Sequence, residues 1–161
     1  MNKTLITFFT IIFCMTSSIV WSADLQKGVT AAQKGDFATA LREWTPLAEQ
    51  GNAFAQFNLG VLYGQGMGVI QDYKTALKWY RLSAEQGNAD AQFNLGVMYG
   101  KGQGVIKDYV YAYMWSNISA STGNKNAVTN RDIVAKRMTP TDISAAQKLA
   151  RECVEKKYKG C

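Results

Sequence analysis

The chain carries nearly the same stretch twice, as NAFAQFNLGVLYGQGMGVIQ over residues 52–71 and as NADAQFNLGVMYGKGQGVIK over residues 88–107. The similarity extends outward, and aligning residues 36–71 with 72–107 gives 23 identical positions. A third copy begins at Asp108 and then drifts. A repeat with a period of 36 residues predicts a chain that is built from one structural unit used several times.

Each copy predicts two helices joined by a short turn. In the copy that starts at Asp72, this aspartate is a helix N-cap, Gly87 supplies the positive φ that ends the first helix, and Asn88 caps the second. Apolar residues recur at helical spacing, namely Tyr73, Ala76, Leu77, Tyr80 and Ala84 in the first helix and Ala91, Leu95, Met98 and Tyr99 in the second. One pair cannot bury its apolar stripe but stacked pairs can, so we predict an all-α fold, a short α-solenoid.

The end of the chain departs from the repeat. Thr139-Pro140-Thr141-Asp142 combines an N-cap threonine, a proline at the first helical position and an acid three residues after the cap, which is a variant of the capping box. The helix that follows places its apolar residues on one side, namely Ile143, Ala146, Ala150, Cys153 and Val154. Residues 139–161 are therefore predicted to form a capping helix and a tail, because a terminal repeat needs a polar outer face.

The repeat resembles Sel1-like repeats, the longer relatives of tetratricopeptide repeats. From Ala55 to Tyr80 it reads Ala-x-x-x-Leu-Gly-x-x-Tyr-x-x-Gly-x-Gly-Val-x-x-Asp-Tyr-x-x-Ala-x-x-Trp-Tyr. The resemblance covers residues 36–138, with clear units at 36–71 and 72–107 and a degenerate unit at 108–138. It implies a small bacterial member of that family and a right-handed solenoid of antiparallel helix pairs. In this arrangement the helices that begin at 53 and 89 open a repeat and line the concave side.

Residues 1–23 are typical of a secretory signal peptide, because a basic residue precedes an apolar run and small residues follow it. The run is shorter than the roughly 20 residues that span a bilayer, so a retained membrane anchor is not expected. Cleavage after Ser22 and cleavage after Ala23 both stay open. We expect residues 24–161 to be a single domain, exported to the periplasm or the extracellular space, without stable membrane insertion.

Composition narrows the functional classes. The 161 residues contain no histidine, which removes histidine-based acid–base and nucleophile chemistry and most transition-metal sites. We expect no metal, no cofactor and no catalytic residue. The surplus of positive charge lies in residues 125–161, where nine basic residues accompany four acidic ones. Because the charges are mixed in sign, a solvated helix face is the plainer interpretation, and export argues against a nucleic-acid partner.

An asparagine recurs at the repeat interval, as Asn58, Asn94 and Asn130. The resemblance implies that this position lies on the first helix of each repeat, near the concave groove. Because an amide offers two donors and two acceptor lone pairs, such a ladder suits an extended peptide main chain. The alternative is that each asparagine bonds the backbone of the neighbouring repeat. The apolar residues beside it are either groove contacts or helix packing, namely Phe57, Val61, Phe93 and Val97.

Residues 64–68 and 100–104 are rich in glycine and superficially resemble phosphate-binding loops. Those loops follow a strand and open a helix, whereas these follow a helix, so we interpret them as sharp turns. We expect the apolar residues after each loop to lie in the core, namely Val69, Ile70, Val105 and Ile106. Trp79 and Trp115 are likewise interpreted as core residues.

Cys153 and Cys161 are the two cysteines beyond the signal segment. A continuous helix would separate their Cα atoms by about 12 Å, whereas a disulfide needs less than about 7 Å, so a bridge requires the chain to turn back near Gly160. An even number of cysteines in an oxidising compartment favours a bridge over free thiols, and the spacing differs from the Cys-x-x-Cys of redox pairs. We therefore predict a disulfide that fixes the end of the last helix.

These features predict a non-enzymatic adaptor of the bacterial envelope that binds a protein or peptide in its concave groove, with a polysaccharide as the other partner considered. The alternative is a penicillin-binding or β-lactamase-like enzyme, because cysteine-rich Sel1-like proteins are linked to those activities. Those relatives carry a cysteine pair in each repeat, whereas residues 24–152 contain no cysteine. The chain also lacks the Ser-x-x-Lys motif of an acylatable serine.

Overall fold

The computed structural model describes residues 25–161, which form eight α-helices and no strand. α1 spans residues 25–33. The others are α2 (Phe37–Glu49), α3 (Ala53–Gln65), α4 (Tyr73–Ala84), α5 (Ala89–Lys101), α6 (Tyr109–Ser121), α7 (Lys125–Ala135) and α8 (Pro140–Glu155). The predicted signal peptide lies outside the described residues. None of the helices in this described part combines the length and the apolarity needed to cross a bilayer.

Successive helices pack on one another from α2 to α7, and α5 also contacts α7. This order is the all-α repeat solenoid that the sequence predicts. α8 packs on α6, where Ala146, Ala150 and Cys153 are buried. Val154 departs from the expectation for this helix, because 46% of it is exposed. The capping box at Thr139 and Asp142 is present.

Polar N-caps start the helices of each copy, as predicted. The carboxylates of Asp36, Asp72 and Asp108 accept hydrogen bonds from backbone N–H groups in the first turns of α2, α4 and α6. The amides of Asn52, Asn88 and Asn124 do the same for α3, α5 and α7. These side chains satisfy N–H groups that have no partner inside the helix, and so they set where each helix begins.

The glycine-rich loops dock on the preceding helix pair. Gly68 and Gly104 both have a φ of +69°. A Cβ on Gly68 would lie 2.7 Å from the carbonyl carbon of Phe37 in the first turn of α2, and one on Gly104 would meet the backbone of Tyr73 at the start of α4. Glycine is therefore required twice over, by the left-handed backbone and by the close approach of two chains.

The prediction that Ile70 and Ile106 lie in the core is wrong. Their exposed fractions are 89% and 88%. Val69 and Val105, which precede them, are half-buried, and Val105 packs against core residues. Because the glycines hold the loop directly on the neighbouring helix, only the first of the two apolar side chains turns inward.

The core consists of two clusters. The N-terminal cluster is centred on Trp44, Leu59 and Trp79. The C-terminal cluster is larger and includes Leu95 and Trp115. Trp79 and Trp115 are buried, which confirms their interpretation as core residues.

Candidate functional site

The seven predicted groove residues lie on the helices that open successive pairs. Phe57, Asn58 and Val61 lie on α3, Phe93, Asn94 and Val97 on α5, and Asn130 on α7. All seven are half-buried. They differ in whether their side chains form hydrogen bonds or packing contacts within the fold.

On α3 the fold uses most of these groups. The rings of Phe57 and Tyr80 are 5.9 Å apart between centroids, and Phe57 and Val61 both pack against the C-terminal core cluster. The amide of Asn58 donates to the carbonyl oxygen of Phe54 in its own helix at 2.8 Å. The bond is solvent-exposed, so a ligand could compete for this amide.

On α7 the asparagine is a packing residue. Asn130 Nδ2 donates to Ser116 Oγ on α6 at 2.8 Å. Ser116 is fully buried and in turn donates to the carbonyl oxygen of Ala112 at 2.7 Å. This contact goes to a side chain of the neighbouring helix and not to its backbone, so it is a variant of the structural alternative foreseen for the ladder.

On α5 the three corresponding residues make neither the hydrogen bonds nor the core contacts described for α3 and α7. The amide of Asn94 forms no hydrogen bond with any residue of 25–161 that meets ordinary bonding geometry. Phe93 and Val97 are half-buried but belong to neither core cluster. We call Phe93, Asn94 and Val97 the α5 face. It therefore combines an uncommitted amide with two apolar side chains on adjacent turns of one rigid helix.

Behind this face, buried glutamines join one helix pair to the next, and the sequence analysis missed them. Gln56 and Gln92 donate to the carbonyl oxygens of Ala48 and Ala84 at 3.0 and 3.2 Å. Gln56 directly precedes Phe57 on α3, and Gln92 directly precedes Phe93 on α5. An amide that recurs at a buried position of each repeat was the signal that could have revealed them.

The C-terminal tail borders a small pocket. A disulfide joins Cys153 and Cys161, with the Cα atoms 5.6 Å apart, as predicted. The bridge lines a small pocket of about 190 Å³ together with Tyr111, Met114 and Leu149. Within residues 25–161 no three side chains of the metal-binding types His, Cys, Asp and Glu gather at one place.

The known proteins most informative for this chain are repeat proteins. The model of the Sel1 repeat matches residues 53–88 and 89–124, so that each match begins at the first residue of α3 or α5. These matches confirm the resemblance read from the repeat pattern. No curated protein is significantly similar to the chain.

Two solved structures are similar. One is a protective antigen present in uropathogenic Escherichia coli strains that displays an SLR fold, with a TM-score of 0.80 and 32% identity over 86% of this chain and 31% of that one. The other is a Sel1 repeat protein from Oxalobacter formigenes, with a TM-score of 0.64 and 34% identity over 66% of this chain and 44% of that one. The chain thus spans less than half the length of either protein.

Proposed function

From the premise that this chain is a Sel1 repeat solenoid, we propose that it is a non-enzymatic adaptor which binds an extended segment of a partner protein across α3 and α5. Sel1 repeat proteins generally mediate protein–protein interactions. The location that we propose is the bacterial envelope or its exterior, which fits the signal-like residues 1–23. A similar protein that acts as a protective antigen supports a location that antibodies can reach.

The α5 face carries this proposal. The Asn94 amide can donate to and accept from the main chain of a peptide, while Phe93 and Val97 receive apolar side chains on either side of it. Binding there breaks no hydrogen bond of the described fold. On α3, Asn58 offers a second amide after giving up one exposed bond within its own helix. Asn130 is not included, because its amide is committed to Ser116.

Site-specific crosslinking in the native envelope tests the proposal. A photoreactive residue in place of Val97 is expected to trap a partner, whereas one in place of Val128, on α7 and 36% exposed, is not. Mass spectrometry then identifies the crosslinked segment, and the matching synthetic peptide is titrated against the purified chain. Equal trapping from both positions would contradict the proposal.

The same peptide separates binding from folding. Asn94→Ala is expected to weaken binding about five- to tenfold, the size of one lost hydrogen bond. Asn126→Ala, at an exposed position of α7, is the matched control and should leave binding unchanged. The double variant Asn58→Ala/Asn94→Ala should weaken binding by up to about 25- to 100-fold and leave the helical melting curve nearly unchanged. Parallel losses of stability and binding would assign the two asparagines to packing.

The alternative prediction is a penicillin-binding or β-lactamase-like enzyme. Within residues 25–161 both cysteines lie in the C-terminal segment, outside the two matched repeats. A covalent fluorescent penicillin is the direct test. Stoichiometric labelling that survives denaturation would overturn the assignment as a non-enzymatic adaptor.

A further inference from the structure

At the start of α6, Arg137 from the α7–α8 loop joins two residues that are near each other in the chain, Lys107 and Tyr109. Lys107 lies in the α5–α6 loop, Tyr109 is the first residue of α6, and Arg137 lies between α7 and α8. Lys107 Nζ is 5.5 Å from the centroid of the Tyr109 ring, and Arg137 Cζ is 5.9 Å from it. Arg137 Nη1 also donates to the phenol oxygen at 3.2 Å. We call these three residues the phenol cluster.

The two cations of this cluster have no carboxylate partner within residues 25–161, where the ion pairs involve other residues. The acids nearest in sequence are engaged elsewhere: Asp132 pairs with Arg131 at 2.9 Å, and the other two are bonded at helix starts. Asp108 accepts from the first turn of α6, and Asp142 accepts from Thr139 at the start of α8. The cluster therefore presents positive charge that the described fold does not pair.

The environment of the phenol agrees with this. The hydrogen bond from Arg137 and the nearby charges of Lys107 and Arg137 lower the pKa of Tyr109 below its ordinary value. A positive field of this kind stabilises any negative charge placed beside the hydroxyl. The ring itself packs against the C-terminal core cluster, and this contact holds the hydroxyl in place. A ligand that binds there therefore does not bear the entropy cost of ordering the tyrosine side chain.

We propose that the phenol cluster binds one oxyanion group, a carboxylate, phosphate or sulfate, between Lys107 and Arg137, with the Tyr109 hydroxyl as a further donor. Charge-assisted hydrogen bonds from a guanidinium and an ammonium are the strong contacts for such a group. As the ligand source we take a single anionic group of the partner peptide. That choice of source rests on the proposed function, whereas the oxyanion site itself does not.

The repeat argues for a single group and against a polyanion. The positions that correspond to Lys107, Tyr109 and Arg137 one copy earlier hold Gln71, Tyr73 and Lys101, and one copy before that they hold Gly35, Phe37 and Gln65. The cations therefore do not form a row along the solenoid, as a long anionic polysaccharide would require. Two cations converge on one aromatic residue in the last copy only.

Titration of the full chain with small anions tests the site without any partner. Phosphate, sulfate and acetate are added at constant ionic strength against chloride, and the NMR shifts of the Tyr109 ring are followed. We expect saturable shifts, and at least fivefold weaker binding in Lys107→Gln and in Arg137→Gln. Glutamine occupies the corresponding positions 71 and 65, so both variants should fold. Lys78→Gln is the matched control, because Lys78 also lies over an aromatic ring, 5.2 Å from the centroid of Trp79.

Three arms distinguish the ligand sources. Binding of acetate and of a peptide with a free carboxylate would indicate a carboxylate ligand. Binding of phosphate and of a phosphopeptide would indicate a phosphate ligand, and binding of a sulfated polysaccharide would indicate a polyanion. Shifts that do not saturate, or an equal effect of Lys78→Gln, would overturn the site. A sulfated polysaccharide that binds more tightly than the single anions, and loses this binding in both cluster variants, would overturn the assignment to a single anionic group. If small anions bind while no partner peptide is captured at Val97, the proposed function fails and the phenol cluster stands.

Discussion

At the scale of single residues, the buried side-chain amide of Gln92 donates a hydrogen bond through its nitrogen but accepts none at its oxygen. Gln56 Oε1 accepts from Gln86 Nε2 at 2.7 Å. Gln92 holds the corresponding position in the next copy, where Thr122 replaces Gln86. Among the residues that the structure describes, Gln92 Oε1 is the one buried side-chain oxygen or nitrogen without a hydrogen-bond partner. The cost of leaving such a group unpaired is about 1–3 kcal/mol.

Thr122→Gln is therefore expected to raise the free energy of unfolding by about 1 kcal/mol, because the new amide can donate to Gln92 as Gln86 does to Gln56. Urea denaturation of the purified chain measures it. Gln86→Thr, the reciprocal change, should lower the stability by a similar amount. No gain from Thr122→Gln beside a clear loss from Gln86→Thr would mean that the second site cannot accept the longer side chain.

Two glycines of α5 are expected to respond to alanine in opposite directions. A Cβ on Gly96 would lie 3.1 Å from the carbonyl oxygen of Ala112 and closer still to Ser116 Oγ, so Gly96→Ala should cost about 1–3 kcal/mol by overpacking. A Cβ on Gly100 would meet its nearest neighbour at an ordinary 3.6 Å. Gly100→Ala should therefore stabilise the helix by about 0.5–1 kcal/mol. The melting temperatures of both variants test this prediction. A change of the same sign in both would contradict the packing described.

The residue scale also shows where sequence reasoning stops. The close helix contacts at Gly60 and Gly96 are accessible to sequence reasoning, because a small residue that recurs with the repeat indicates a place where helices approach. Asn58, Asn94 and Asn130 occupy one repeat position, yet one bonds its own helix, one bonds Ser116, and one bonds no described residue. Their difference depends on neighbours that are not identical between copies, such as Ser116 where the preceding copy has Tyr80.

At the scale of elements, the tail after α8 returns to the body of the solenoid. Tyr158 N donates to the carbonyl oxygen of Cys153 at 2.8 Å, and Lys157 and Tyr158 adopt positive φ values of 52° and 65°. The Tyr158 ring lies beside the turn at Gly87, where an added Cβ would be 3.4 Å from it. The tail therefore links the last helix to the turn between α4 and α5.

Removing the disulfide is expected to loosen this tail. In the chain-entropy description a bridge over so short a loop contributes about 2.6 kcal/mol, so the double variant Cys153→Ala/Cys161→Ala should unfold at a correspondingly lower urea concentration. Reduction of the wild-type chain is the control and should give the same midpoint. Hydrogen exchange should rise most in α8 and at Tyr158. Unchanged stability in both samples would show that the tail is held by packing alone.

The helix starts were predictable from the sequence, because an N-cap is a side chain bonded to backbone a few residues away. The path of the tail was predictable only in part. The spacing of Cys153 and Cys161 required a return of the chain, but the left-handed backbone at Lys157 and Tyr158 is unusual for residues other than glycine and leaves no mark in the sequence.

At the scale of the whole molecule, one side chain joins the two cores. Tyr63 on α3 packs against the N-terminal and the C-terminal cluster alike. Repeat proteins unfold as one unit only while the contacts between neighbouring repeats are strong enough. Tyr63 is therefore placed to couple the two halves.

Variants that keep only Trp44 or only Trp115 report on the N-terminal and the C-terminal cluster respectively. In a chain with Tyr63 intact, the two fluorescence transitions in urea should coincide. With Tyr63→Ala they should separate, because each cluster then loses part of its contact with the other. Coincident transitions in both backgrounds would show that the coupling runs through other contacts.

The stacked arrangement of helix pairs was readable from the period and the apolar stripes alone. The division of the core and the position of the phenol cluster were not, because both depend on contacts between residues of different copies. Lys107 and Arg137 are 30 positions apart in the chain, and both lie near the Tyr109 ring because α7 packs on α6.

The fit of Gly104 against Tyr73, repeated by Gly68 against Phe37, has a consequence for how this gene can change length. The unit 53–88 carries both sides of this contact, the loop with Gly68 that packs on the preceding unit and the start of α4 that receives Gly104 of the next unit. An in-frame duplication of residues 53–88 would thus insert a further unit with all of its seams already matched. Such a duplication would lengthen the solenoid by 36 residues, the length of each matched repeat.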